Sequence, residues 1–342
     1  MLFLLYSTNW WRKFIVFGYL CLLVGCGDSA RDYTGVTGTT MGTTYAVKVN
    51  GVALTATDLK TRIDKRLIAL NAVLSTYIPD SELSQLNAKA ADETTAVSAD
   101  LRAVLEMSRE VYEASAGAFD VTAGPLVNLW GFGPDGPRSG VPDDAQVREA
   151  LDKVGYHRIR LTDSGVRKPP GMYIDLSAIA KGYAVDELAK LLESLGATDY
   201  MVEIGGEVLT RGRSPRGNDW VIGLEAPDWT ERRLQRTLPA RNTAVATSGD
   251  YRNFFEHGGE IYSHTIDPTS GWPVTHSQAS VTVLHESAAM ADGYATAFSV
   301  LGPDRTMALA EEMQMSVLAI IREGESYREI QSTELTRYLE LK

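Results

Sequence analysis

The chain has 342 residues, a formal charge of −11 at pH 7 and 44% hydrophobic residues, which suits a globular fold with a substantial core. The acidic balance excludes the broad basic face that a nucleic-acid partner or an anionic lipid surface would need. Both cysteines, Cys21 and Cys26, lie near the N-terminus, so no disulfide can brace the body of the chain.

At the N-terminus, Arg12 and Lys13 precede an uncharged apolar run over 14–24. This pattern predicts a signal peptide over 1–25, because the run falls short of the roughly 20 residues that a membrane-spanning helix needs. Leu23-Val24-Gly25-Cys26 resembles a bacterial lipobox, which would make Cys26 the lipidated first residue of the mature chain. The competing reading is an uncleaved anchor with an incidental Cys26. Either one leaves the body outside the cytoplasmic membrane, and the lipobox reading places it on the periplasmic side, attached by lipid and expected at the inner membrane. Losing Arg12 and Lys13 takes the formal charge from −11 to −13, so attachment has to depend on the anchor rather than on charge.

Residues 26–38 are polar and Gly/Thr-rich and read as a tether, with one domain expected over 39–342. Alternation of Tyr45, Val47 and Val49 predicts a strand over 43–49. A helix over 57–75, capped by Thr57, carries Leu59, Ile63, Leu67, Leu70 and Leu74 along one stripe. Further helices are predicted after Ser81, over 100–115 and over 143–154, with an exposed turn-rich loop over 131–142. Two short strands come next, then a helix over 177–196. Its first half is small and polar, and its second half presents Leu188, Leu191, Leu192 and Leu195 to a core. Residues 200–283 are strand-rich and a helix over 287–301 follows. The order predicts an α+β, or mixed α/β, body.

Several segments pair glycines with polar groups. Thr40-Met41-Gly42-Thr43-Thr44-Tyr45 enters a strand, and Ser75-Thr76-Tyr77 joins two helices. Gly117-Ala118-Phe119-Asp120 lets backbone amides approach a ligand. Asp175 and Ser177 precede a helix start with Lys181 about one turn in, an arrangement that suits phosphate and equally suits plain capping. His264 is either a general base or a structural histidine, and Asp267-Pro268 reads as a turn. Asp292 and Thr296 stand at i and i+4 on one helix face, where two oxygens suit Mg²⁺ or hydrogen-bond each other. Zinc-ligand spacing, a P-loop, a completed G-x-G-x-x-G and a GxSxG elbow are all absent.

Taken in order, MGTTY, STY with SEL, GAFDVTAGPLVNLWGFGP, YIDLSAIAKGYAVD, EIGGEV, ATSGDYRNF, SHTIDPTSGWPV and ADGYATAFSVLG resemble the ApbE family of FAD:protein FMN transferases over about 41–302. The resemblance implies an ApbE-like fold with tunnelling-fold-like sheet elements. It implies FAD as substrate, contacted by Met41, Tyr77, Ala118, Phe119, Asp120, Asp175, Lys181 and Ile266. It implies Mg²⁺ held by the backbone of Ala178, by Asp292 and by Thr296, with catalytic roles for His264 and Asp292. Some members carry acidic residues at the positions of Lys181 and Ala295, which bears on metal number. The implied reaction transfers FMN to a threonine or serine hydroxyl and releases AMP. Implied acceptors are flavoprotein subunits such as those of Na⁺-translocating NADH:quinone reductase or related electron-transfer complexes. The alternatives are an FAD pyrophosphatase and a non-catalytic FAD-binding lipoprotein.

Overall fold

The computed structural model describes residues 32–341 apart from 90–92, 138–139, 229–232, 251–253 and 325. The predicted signal peptide, the lipobox and Cys26 lie outside the described residues. Strands β1 (Thr34–Thr40) and β2 (Thr43–Asn50) form a hairpin. Helices α1 (Ala56–Leu74), α2 (Glu82–Ala88) and α3 (Ala99–Ala114) follow, started by Thr55, Ser81 and Ser98, whose hydroxyls accept a first-turn N–H. Short helices α4 (Gly124–Leu129) and α5 (Asp144–Leu151) and strands β3 (Arg160–Thr162) and β4 (Gly165–Arg167) lead to α6 (Ala180–Ser194). Next come β5 (Asp199–Ile204), β6 (Glu207–Arg211), β7 (Trp220–Glu225), β8 (Leu234–Ala240) and β9 (Ala244–Gly249). They precede β10 (Phe254–His257), β11 (Glu260–Ser263) and β12 (Gln278–His285). The chain then adds α7 (Ala288–Leu301), α8 (Pro303–Glu312), β13 (Ser316–Glu323), β14 (Ser326–Gln331) and α9 (Thr333–Glu340).

Eight strands form one antiparallel sheet in the order β1-β2-β5-β6-β9-β12-β13-β14. Successive side chains in a strand point to opposite faces, so the pleat sorts residues into two cores. Tyr45, Val47, Tyr200, Val202, Val281, Val283, Val317 and Ala319 face the main core with α1, α3, α6 and α7. Val245, Leu284 and Leu318 face the other way, against Trp220, Leu224 and Leu238 of the β7–β8 hairpin and Leu335 of α9. This is the expected α+β architecture. Among the described residues no helix is long and apolar enough to cross a membrane.

Some boundaries differ from the sequence expectations. β1 begins at Thr34, inside the stretch 26–38 read as tether, because its pairing with β2 is made by backbone groups that its Gly/Thr-rich side chains do not signal. Helix α1 is capped by Thr55 rather than Thr57. Helix α6 begins at Ala180 rather than 177, because the preceding residues turn back on themselves. The amides of Ile179 and Ala180 both donate to the Leu176 carbonyl, and Ser177 N–H donates to Asp175 Oδ1 at 2.9 Å. The loop over 131–142 is not uniformly exposed: Gly133 is buried against Asn128, where a Cβ would meet Asn128 Oδ1 at 1.7 Å.

Helices α6 and α7 cross tightly at Gly182, where an added Cβ would lie 2.2 Å from the Ala288 carbonyl oxygen. Behind the crossing, the Asp186 carboxylate accepts from Ser287 Oγ at 2.6 Å and from the amides of Ala288 and Ala289 at 2.8 and 3.0 Å. These amides are N–H groups that a helix start cannot pair internally, so a side chain from α6 caps α7. The other face of the crossing opens into a cavity.

Candidate active site

Two cavities of about 370 and 740 Å³ share Tyr77, Asp175, Ser177 and Lys181 in their walls and form one cleft. Each falls in the range of small-molecule sites, roughly 300–1,000 Å³. The smaller lobe is lined by Ala118, Phe119, Asp120, Ala178, His264, Ile266, Asp292 and Thr296, and the larger by Met41. Every residue to which the resemblance gives an FAD, Mg²⁺ or catalytic role therefore lines this cleft, although their sequence positions span most of the fold.

Met41 and Gly42 form the two-residue β1–β2 turn, both with positive φ, +48° and +72°. That is the geometry of a type I′ hairpin, and it carries the Met41 side chain to the larger lobe. Tyr77 projects from the α1–α2 loop and is 66% exposed. The Asp120 carboxylate is occupied by the protein itself: Oδ1 accepts from Thr122 N and Oγ1 at 2.7 and 2.6 Å, and Oδ2 accepts from Tyr156 N at 2.9 Å. Its carboxylate thus fixes the loop whose preceding residues, Ala118 and Phe119, face the cavity. Burial raises its pKa against these hydrogen bonds. Asp175 donates its amide to the Val121 carbonyl at 2.7 Å, locking the two loops together, and burial raises its pKa as well. Behind it, the buried Lys168 ammonium donates to the carbonyls of Asn87, Lys89 and Met172, holding this segment to the C-terminal end of α2.

On the α6–α7 side, Gly182 N–H donates to Asp292 Oδ2 at 3.1 Å. Gly182 lies in the first turn of α6, where an N–H has no intrahelical partner, so Asp292 satisfies it, and Ala178, just before the helix, lines the same cavity. Lys181 Nζ lies 3.4 Å from Asp292 Oδ2 and 3.6 Å from Glu207 Oε1. Burial pushes the Asp292 pKa up, against the opposing influence of Lys181 and the Gly182 N–H. Burial would lower the Lys181 pKa, but Asp292 and Glu207 outweigh it and hold the ammonium protonated. Asp292 and Thr296 line the same cavity without a hydrogen bond between them.

Among the described residues no three His, Cys, Asp or Glu side chains gather as a metal cluster. A hard cation would rest instead on the Ala178 carbonyl, the Asp292 carboxylate and the Thr296 hydroxyl. Mg²⁺ fits this oxygen set, since it commonly takes one or two carboxylates and completes its shell with water and substrate phosphate. His264 stands across the cavity with its ring edge toward Phe132, 6.2 Å between centroids. Phe132 continues into an aromatic group of Trp130, Phe255, Tyr262 and Trp272. Trp130 Nε1 donates to the Gly271 carbonyl at 2.9 Å, which ties the α4 segment to the loop carrying His264 and Ile266.

The cavity also includes Gly205, Glu207, Thr247, Ser248 and Gly249, which were not assigned individually from sequence. Their signal lay in EIGGEV and ATSGD, two motifs that end or turn strands of the main sheet. Asp186 had a weaker signal, a carboxylate one turn beyond Gly182 on a helix face that is otherwise buried.

The sequence profile described as the ApbE family matches residues 41–321. The FAD:protein FMN transferase of Vibrio cholerae serotype O1 is 41% identical over 335 residues, covering 97% of this chain and 99% of that protein. The solved flavin transferase ApbE from Vibrio cholerae superposes with a TM-score of 0.82 at 40% identity, over 90% of this chain and 99% of that one. The apo flavinyl transferase ApbE of Pseudomonas stutzeri gives 0.84 at 36% identity, over 90% and 97%. With motif order, fold and cleft in agreement over this extent, the chain belongs to the ApbE family.

Proposed function

We propose that the protein is a flavin transferase that moves the FMN portion of FAD onto a threonine or serine hydroxyl of an acceptor flavoprotein, with Mg²⁺ and with release of AMP. Flavin transfer is supported by the names of the similar proteins. The observation that supports the finer chemistry is that Ala178, Asp292 and Thr296 line one lobe of a cleft large enough for a dinucleotide.

The acceptor oxygen attacks the phosphorus of the FMN half, and a new P–O bond forms as the bond to the AMP phosphate oxygen breaks. AMP leaves with that electron pair. The hydroxyl proton passes to His264, which faces the same lobe as Asp292. Bound Mg²⁺ would neutralise charge growing on the departing phosphate. Asp292, Thr296 and the Ala178 carbonyl would hold that cation, while Lys181 brings positive charge to the pyrophosphate. Met41, Tyr77, Phe119 and Ile266 supply flat or apolar contact for the rings, and Asp120 and Asp175 keep their loops in place.

The test incubates the protein with FAD, Mg²⁺ and a threonine-bearing acceptor peptide and reads intact masses. Addition of one FMN to the peptide is the expected result. Release of AMP and free FMN with an unmodified peptide would replace transfer by hydrolysis.

The lipobox motivates a second part of the proposal, that Cys26 is acylated and holds the enzyme on the periplasmic face of the inner membrane, near acceptor subunits of electron-transfer complexes. Cys26→Ser should abolish lipid labelling and membrane retention and leave FAD binding intact. Continued acylation of that variant would move the anchor to Cys21.

A further inference from the structure

Lys181 Nζ stands among three oxygens, at 3.4 Å from Asp292 Oδ2, 3.6 Å from Glu207 Oε1 and 3.4 Å from the Ser177 carbonyl. A committed charge-assisted contact closes to roughly 2.7–2.9 Å, as the Lys60–Asp64 pair does at 2.7 Å. The ammonium is therefore shared between two carboxylates and seated on neither. Both carboxylates are largely buried, 5% exposed for Asp292 and 4% for Glu207. In such surroundings a single positive charge is shared at considerable electrostatic advantage. The lysine stem passes Gly205, where an added Cβ would stand 3.4 Å from Lys181 Cδ.

We propose that Lys181 competes with a divalent cation for Asp292, and that Glu207 sets the outcome by drawing the ammonium away as the cation arrives. This rests on the metal reading under Proposed function. Glu207 acts through Lys181 and is a positioning residue. Without Glu207, the lysine has Asp292 as its remaining close carboxylate and blocks it. Without Lys181, the competitor is gone and Glu207 loses its influence. Lys181 borders both lobes of the cleft, where its charge can meet a pyrophosphate.

The test titrates the purified protein with Mn²⁺ alone, without FAD, and follows free Mn²⁺ by electron paramagnetic resonance. Glu207→Gln should weaken binding about tenfold and Lys181→Met should tighten it about tenfold. In the Lys181→Met background, Glu207→Gln should change affinity less than about twofold, since a double-mutant cycle isolates the coupling. Equal weakening with and without Lys181 would mean that Glu207 acts by its own charge, and would overturn the inference. Tightening absent in Lys181→Met would do the same, and that variant decides the matter if Glu207→Gln proves unfolded by circular dichroism. Mn²⁺ binding that survives Asp292→Ala would overturn the metal reading itself. Binding abolished by Asp292→Ala but unmoved across the cycle would overturn this inference alone.

Discussion

Asp186 on α6 and Asp292 on α7 each reach across the same helix pair to the other helix's backbone, yet they end in opposite states. Asp186 accepts three hydrogen bonds between 2.6 and 3.0 Å, and its charge lies at a helix N-terminus, where the macrodipole favours it. Asp292 accepts one N–H at 3.1 Å and a lysine at 3.4 Å, both on Oδ2, and it borders the cleft. Two residues of one type, both buried, are thus separated by how completely the protein satisfies them. The saturated carboxylate holds the helices together, and the less satisfied one faces the cleft.

The largest expected effect separates the two directly. Asp292→Ala should lower single-turnover FMN transfer by about a hundredfold or more, corresponding to about 3 kcal/mol of transition-state stabilisation, while FAD affinity falls less. A wild-type rate with unchanged Mg²⁺ dependence would reduce Asp292 to a second helix clamp. Asp186→Ala should act on stability, losing about 2–3 kcal/mol in urea unfolding because a charged cap leaves two helix N–H groups without a partner. Unaltered unfolding would erase the contrast.

Gly182→Ala sharpens it, because its Cβ would press on the Ala288 carbonyl at 2.2 Å. Separating the helices should cost about 1–3 kcal/mol and displace Asp292, so stability and transfer should fall together. A fall in one without the other would show that the crossing does not set the position of the carboxylate. Thr296→Ala should have the smallest effect, within about tenfold on transfer and little on thermal unfolding, since water can replace a neutral oxygen donor. A loss equal to that of Asp292→Ala would make the hydroxyl the dominant contact.

What could be read from sequence follows the same division. The i, i+4 pairing of Asp292 and Thr296 is legible because it depends on one helix alone. The Gly182 N–H bond to Asp292 is not, because its two partners lie 110 residues apart. Asp186 looks like any charged residue in an amphipathic helix until α7 is placed against it. The apolar stripe of α1 is plain, and its five predicted leucine and isoleucine positions are buried. The pairing of β1 is hidden, since only Val36 and Thr40 of its seven residues are buried. Past Gly302, where the motifs end, β13 places Val317, Ala319 and Ile321 in the main core and Leu318 in the other, a division that its unbroken apolar run over 317–321 does not show in the sequence. Its place beside β12 likewise depends on the assembled sheet.

The β1–β2 turn carries a consequence for engineering. A non-glycine residue in the left-handed region costs roughly 1–2 kcal/mol, and Met41 occupies it at φ +48°. Asn or Gly would suit that turn better but would withdraw an apolar side chain from the cleft. A library selected for heat resistance should therefore enrich Asn or Gly at position 41, while one selected for flavin retention should restore methionine.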